Sequence, residues 1–265
     1  MPIGVESAHG FGDLCFNAGL IKAIQEKFND EIWVATRPHC KDALYNLPWI
    51  SKIVDIPDMG HGEKKLKSMG CSEFIQITQN IRFFEFKKEN PNHSLIDTPK
   101  LVAKSLGIND FNQKPIFIPS KQEIEKSESL NTEQPTIAIT SVYTSGQSWA
   151  DKKAFDTIIE KFLPTHRILW LSNQDAPKHK NVDNMLRFTR REVTCSLRFC
   201  DIFFSVGSGF FCASMGLQEE FQPKKINCLW KDDLYRYEEP INKHKWHKNL
   251  TWIHDYKELI KCIEK

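Results

Sequence analysis

This 265-residue chain predicts an α/β protein of two Rossmann-like halves, each built on a parallel sheet, with the two sheets facing across a cleft. Three observations carry the expectation. Short apolar runs alternate with longer stretches of helical period, the pattern of parallel strands joined by crossover helices. The alternation halts at a polar segment and then begins again. Each half also contains a glycine turn that opens a helix: Gly10-Phe11-Gly12-Asp13-Leu14 in the first, Gly207-Ser208-Gly209-Phe210 in the second.

The elements follow in order. A short strand is expected near Ile3–Val5, and after the first glycine turn a helix from Asp13 to Lys27. Leu20, Ile21, Ile24 and Phe28 recur at the spacing of a helix face lying on a sheet. Short apolar runs at 31–35, 53–56 and 73–77 read as further strands. Residues 121–135 are polar with little apolar period and read as a linker between domains 1–120 and 136–265. The pattern restarts at Thr136-Ile137-Ala138-Ile139-Thr140. A helix follows with Phe155, Ile158, Ile159 and Phe162 on one face, then a strand at 168–171. Thr189-Arg190-Arg191-Glu192 fits a capping box, in which the threonine accepts the third backbone N–H and the glutamate reaches back. The apolar run 202–206 leads into the second glycine turn, and 226–230 and a last helix over Asp255–Ile263 close the pattern.

Composition excludes several classes. Lys+Arg at 36 against Asp+Glu at 34 gives no basic excess of the kind a nucleic-acid binder carries. The basic cluster Lys64–Lys67 reads as a solvated loop face. Neither an apolar run long enough to span a membrane nor a signal peptide is present, so the expected location is cytoplasmic, and any membrane contact would be peripheral. The eight cysteines never fall in a Cys-x-x-Cys pair and read as reduced, structural thiols. No metal or other cofactor is expected. His244 and His247 read as surface residues, since no third ligand accompanies them. The dinucleotide fingerprint begins at Gly10-x-Gly12 but meets Cys15 at its third glycine. The phosphate loop of nucleotide hydrolases and the Gly-x-Ser-x-Gly elbow are both absent.

The glycine turns are the candidate chemistry. A helix entered through glycine offers unpaired N–H groups and the positive end of its dipole, which suits an anion. Asp13, in the first turn of its helix, is either a cap or a functional carboxylate. Trp149, in a loop, could stack on a base or a sugar.

At this point the residues resemble the heptosyltransferase-like glycosyltransferases, glycosyltransferase family 9. The likeness starts with His9-Gly10-Phe11-Gly12-Asp13-Leu14, Leu20–Ile24 and Glu31-Ile32-Trp33-Val34. It continues through Asn46-Leu47-Pro48-Trp49-Ile50-Ser51-Lys52-Ile53-Val54, Ser145-Gly146-Gln147-Ser148-Trp149 and Ser205–Leu217. The resemblance implies a GT-B fold and an inverting, metal-independent transfer of a hexosyl or heptosyl group. The donor would be a nucleotide-diphosphate sugar. The acceptor would be a hydroxyl of a glycan or glycolipid in surface polysaccharide or lipopolysaccharide-like synthesis. It makes Asp13 the general base, and makes Gly12, Thr144, Ser145, Gln147, Asn173, Asp175, Gly207, Ser208, Gly209 and Phe210 the donor-binding set. Gln147 stands where the family has a lysine, Gly207 where it has an acid, and Cys212 where a histidine is usual. Those departures keep open a second reading, a noncatalytic nucleotide- or glycan-binding protein of the same fold. Arg190, Arg191, Lys152 and Lys153 are the cations that could make up the lost charge.

Overall fold

The computed structural model describes residues 1–7, 10–77, 98–141, 148–172, 176–231 and 238–264. The chain forms two compact units, Met1–Ile118 with Leu234–Trp246, and Pro119–Asp233 with His247–Lys265.

Unit 1 runs β1 (Ile3–Glu6), α1 (Phe11–Phe28), β2 (Ile32–Thr36), β3 (Lys52–Asp55), α2 (Gly62–Ser68), β4 (Glu73–Gln76) and α3 (Thr98–Ser105). Its four strands are all parallel, in the order β3-β2-β1-β4. The chain winds outward from β1 through β2 and β3, then crosses to the other side of β1. The winding direction therefore reverses between β1 and β4. The short apolar strand expected at the N-terminus is one of the two inner strands of the sheet, paired with β2 on one side and β4 on the other.

Helix α1 is longer and more deeply buried than its single apolar stripe predicts. From Phe11 to Leu20 only Asp13 is not buried, because the sheet covers one side and the segment 112–117 the other. Ile116 N–H donates to the Cys15 carbonyl at 2.9 Å, and the Phe11 and Phe117 rings meet edge to face at 6.1 Å. At Gly19 the backbone of Asn112 comes so close that a Cβ would lie 1.9 Å from its carbonyl oxygen. Asn29 ends the helix in the left-handed region, φ 53°, with its N–H on the Gln25 carbonyl.

Glu6, the last residue of β1, is fully buried. Its two carboxylate oxygens accept the N–H groups of Gly60 and Gly62 at 2.5 and 2.8 Å, so charged hydrogen bonds to backbone compensate the lost hydration. A Cβ at Gly62 would sit 2.4 Å from that carboxylate. The basic stretch 64–67 is not a loop, as the sequence suggested, but part of α2. Leu66 is its buried face, packed on Ala35, Val54, Ile56 and Cys71.

Unit 2 runs α4 (Lys121–Glu128), β5 (Thr136–Thr140), α5 (Lys152–Phe162), β6 (Arg167–Trp170), β7 (Val182–Asn184), α6 (Arg190–Ser196), β8 (Ile202–Val206), α7 (Gly209–Gly216) and β9 (Lys225–Leu229). The chain next contributes α8 (Glu238–His244) to unit 1, where Trp246 packs on Phe16 at 5.6 Å, and then supplies β10 (Leu250–Ile253) and α9 (Tyr256–Ile263) to unit 2. The six parallel strands lie in the order β10-β9-β8-β5-β6-β7. That is the doubly wound order, with its reversal between β5 and β8. The core contains Ile137, Ile139, Phe155, Ile158, Phe162, Trp170, Phe204 and Leu259. β5 is buried at every position, which is why it reads as an unbroken apolar run.

The segment expected to be a linker opens with α4. Ser120 accepts the Glu123 N–H while Glu123 accepts the Ser120 N–H, a capping box that holds a short polar helix. The capping box expected at Thr189 and Glu192 is present, with Thr189 N–H on Glu192 at 2.7 Å.

Gly19→Ala and Gly62→Ala each force a Cβ into occupied space, so both should destabilise unit 1 by about 1–3 kcal/mol. Denaturant unfolding followed by far-UV circular dichroism should show the lowered midpoint; wild-type stability for either would contradict these close approaches.

Candidate functional site

Both glycine turns lie at the carboxyl ends of their strands, each at the reversal point of its own sheet, where open α/β sheets bind ligands.

In unit 1 Gly10 is the extended N-cap of α1, and its N–H donates to Asp13 Oδ2 at 3.0 Å. Asp13 therefore serves as a cap. Its carboxylate is held in one orientation, and it is half-buried rather than sealed off. A carboxylate has acceptor capacity for more than one partner, so capping and base chemistry are compatible. Gly12 is buried in the same turn. Beneath the turn, Asn17 donates to the Ser7 hydroxyl at 2.9 Å, both residues being fully buried.

In unit 2 the turn Gly207-Ser208-Gly209-Phe210 leads from β8 into α7, and all four residues are partly exposed. Ser208 is the N-cap, with φ −125° and ψ 169°, and its hydroxyl accepts the Phe211 N–H at 3.4 Å. The N–H groups of Gly209 and Phe210 have no carbonyl one turn back to bond. No acid stands in the first turn of α7. An incoming anion thus meets N–H groups and a hydroxyl without a competing carboxylate. Behind the turn, Thr140 Oγ1 lies 3.1 Å from Ser205 Oγ. The residue just after β5, Ser141, carries a buried hydroxyl with no hydrogen-bond partner among the described residues. Motif reading did not single out Ser141; the only sequence signal for it was a hydroxyl residue directly after a buried strand. Thr144, Ser145, Gln147, Asn173 and Asp175 lie outside the described residues.

Other candidates are committed elsewhere. Arg191 is 3 % exposed and forms a two-bond pair with Glu123, Nε–Oε1 at 2.5 Å and Nη2–Oε2 at 3.0 Å, which ties α4 to α6. Lys152 pairs with Asp156 at 2.6 Å, and Lys153 lies over the Tyr256 ring at 4.6 Å. Trp149 does not stand free as a stacking platform: its indole N–H donates to the Ile253 carbonyl at 2.6 Å and its ring packs on the core. Cys212 is buried one turn into α7. His247 is also buried, its Nε2 bonded to the Pro223 carbonyl at 2.9 Å while Nδ1 accepts the Asn249 N–H. Among the described residues no cluster of three or more His, Cys, Asp or Glu could hold a metal ion. No described helix is long and apolar enough to cross a membrane.

The electrostatics of unit 2 are mostly architectural. For Glu123, burial disfavours ionisation, but the Arg191 pair and the Ser120 N–H outweigh it and hold the carboxyl below its ordinary range. The same balance lowers Glu192 through Lys126 and Thr189, and Asp201 through Lys224 and the Thr136 N–H. Burial pushes the Cys195 thiol up to about 12 and raises Cys200 as well, so both stay protonated. All eight cysteines are free thiols, and seven of them are buried.

No protein-family model matches the sequence, and no curated protein matches it. Solved structures do match its fold. The chain is similar to ADP-heptose lipopolysaccharide heptosyltransferase II of Escherichia coli, with TM-score 0.65 and 13 % identity over 100 % of this chain and 97 % of that one. A glycosyl transferase family 9 protein from Veillonella parvula aligns with TM-score 0.63 and 10 % identity, over 99 % and 90 % of the two chains. The E. coli heptosyltransferase WaaC, solved with ADP-2-deoxy-2-fluoro heptose, gives 0.55 and 10 % over 97 % and 94 %. The architecture is thus the two-sheet α/β fold of these GT-B glycosyltransferases, as the sequence led us to expect.

Two outcomes follow from the ionisation pattern. Each lowered carboxylate stabilises the fold once ionised, fully above its ordinary range and progressively less as pH falls through its depressed value. Thermal midpoints should therefore drop from about pH 5 toward pH 3, and Glu123→Gln should flatten that slope; an unchanged slope would remove Glu123 from the account. A thiol-exchange reagent should label Cys262 quickly in the native protein and the buried seven only after unfolding.

Proposed function

We propose that the protein is a glycosyltransferase that moves a sugar from a nucleoside-diphosphate sugar to a hydroxyl of a glycan or glycolipid, with inversion at the anomeric carbon. The observation that carries the reading is the Ser208-capped start of α7 at the reversal point of a doubly wound sheet. It occurs in a chain that follows heptosyltransferase folds from end to end.

In this mechanism the N–H groups of Gly209 and Phe210 and the Ser208 hydroxyl bind the diphosphate. They offset the charge that grows on it as the glycosidic bond breaks, with no metal needed for that role. Thr144, Ser145, Gln147, Asn173, Asp175 and Gly12 are the remaining donor-binding candidates that the family resemblance assigns. Asp13 takes the proton of the acceptor hydroxyl as the new bond forms, and the Gly10 N–H holds its carboxylate in place. The acceptor is a surface polysaccharide or a lipopolysaccharide-like glycan, and the reaction takes place in the cytoplasm. Two of the similar structures are named for ADP-linked heptose or its analogue, so an ADP-linked sugar is the first donor to try.

A second reading rests on Gln147, Gly207 and Cys212, neutral residues where the resembled family carries charged or titratable ones. It makes the chain a noncatalytic binder of a nucleotide or glycan.

Asp13→Asn should lower kcat by about 100-fold or more while leaving donor affinity near wild type. Ser208→Ala should weaken nucleoside-diphosphate binding about 3- to 10-fold. Thermal shift with ADP, GDP and UDP and their sugar conjugates, followed by product analysis with glycan acceptors, checks both. Donor binding without turnover would favour the binder, and no nucleotide binding by folded protein would overturn the donor-site assignment.

A further inference from the structure

Resting on the reading of the Gly207–Phe210 turn as the diphosphate site, we infer that Ser205 is a positioning residue that acts through Ser208, as the middle link of a hydroxyl chain Thr140–Ser205–Ser208. Thr140 Oγ1 is 3.1 Å from Ser205 Oγ, and Ser205 Oγ is 3.4 Å from Ser208 Oγ. Ser205 is fully buried, Thr140 nearly so, and Ser208 partly exposed. The chain therefore leads from the interior of the sheet to its functional edge. Parallel pairing of β5 with β8 sets Thr140 opposite Ser205, and the glycine turn folds Ser208 back over the strand it has just left.

Counting protons gives the chain a direction. A hydroxyl donates one hydrogen bond and can accept two. Ser205 Oγ lies 2.7 Å from the Val206 carbonyl, and only the Ser205 proton can make that bond. Ser205 then accepts from both Thr140 and Ser208, so the Ser208 proton points inward, away from the site. An anion at the start of α7 draws the Ser208 proton outward. Ser205 can then move its own proton from the Val206 carbonyl to Ser208 Oγ, while Thr140 still donates to Ser205. Each hydroxyl now donates to the next and the last donates to the anion. Hydrogen bonds aligned in this way polarise one another and make Ser208 a stronger donor than an isolated serine. No covalent bond changes; the Ser205 and Ser208 hydroxyl protons rotate while that of Thr140 stays on Ser205, and the 3.4 Å contact shortens. At 3.4 Å that link is long for an O–H···O bond and would have to shorten for the aligned chain to form.

An independent observation points to a ligand at the same edge. The Ser141 hydroxyl, 8 % exposed and one residue beyond Thr140, has no partner among the described residues. A buried hydroxyl left unsatisfied is costly, and a ligand bound there would relieve that cost.

The test is calorimetric titration of wild type, Ser205→Ala, Ser208→Ala and the double variant, each with a nucleoside diphosphate and with its bare nucleoside. ADP with adenosine, GDP with guanosine and UDP with uridine are the pairs, the one used being the diphosphate that stabilises wild type. Ser205→Ala should weaken the diphosphate about 3- to 10-fold and leave the nucleoside within about 2-fold. In the Ser208→Ala background it should add nothing, because its effect runs through that hydroxyl. A merely structural loss would weaken both ligands together and persist in that background, and either result overturns the proposal. Wild-type diphosphate affinity in Ser205→Ala, with Ser208→Ala weakened, overturns it too while sparing the donor site. Absence of diphosphate binding by wild type overturns the donor site itself and this chain with it. Should Ser205→Ala not fold, Ser205→Cys, close in size but a poor donor, makes the same comparison.

Discussion

Parallel strand pairing is the constraint on which the rest of this structure depends. Every strand pair among the described residues is parallel. The strands of each sheet therefore all end at the same edge, and a crossover must carry the chain back after each one. Inner strands are then covered on both faces, so β5 and β8 read as apolar runs. The polarity they lack along their length gathers at their carboxyl ends: Glu6 closes β1, Thr36 closes β2 and Thr140 closes β5, all buried, with Ser205 one residue from the end of β8. Helices begin just beyond β1 and β8, so backbone N–H groups come to the same edge. A binding edge of hydroxyls, carboxylates and N–H groups is what parallel topology produces at a reversal point.

Much of the available charge is spent on holding that architecture. Glu6 secures the Gly60–Gly62 loop, Asp13 caps α1, and Glu123 and Glu192 cap α4 and α6 while pairing with Arg191 and Lys126. Each carboxylate offsets the positive end of a helix or the N–H groups of a turn. The start of α7 is different in kind. A neutral serine caps it and its first turn has no acid, so no carboxylate of its own turn offsets its dipole. Arg191, a candidate for the charge absent at Gln147, is enclosed in its pair with Glu123; an anion would have to break that buried pair to recruit it.

Local chemistry was legible in the sequence to the extent that it depends on neighbours along the chain. The capping box at Thr189 and Glu192, the helix opened at Gly10, the apolar face through Phe155 and Phe162 and the serine-glycine start of α7 all rest on spacings of a few residues. Where the expectation missed, distant contacts had overridden local pattern. The polar segment at 121 forms a helix held by its local Ser120–Glu123 capping box and by the pair of Glu123 with Arg191, 68 positions away. The lysine run at 64–67 became a helix because Leu66 is taken into the core of unit 1. Trp149 looked available because its loop is polar, yet its indole N–H reaches a carbonyl 104 positions on.

The sequence by itself determined the fold class, two successive α/β halves, and the two glycine turns where function is sought. Both follow from hydrophobic period and turn chemistry, which act over one or two turns of chain. Only the tertiary structure decided the order of strands within each sheet, the passage of Glu238–Trp246 into unit 1, and the convergence of Thr140, Ser205 and Ser208 on one edge. Those outcomes depend on which buried surfaces and hydrogen-bonding groups pair across long loops, and no local pattern in the sequence encodes that choice.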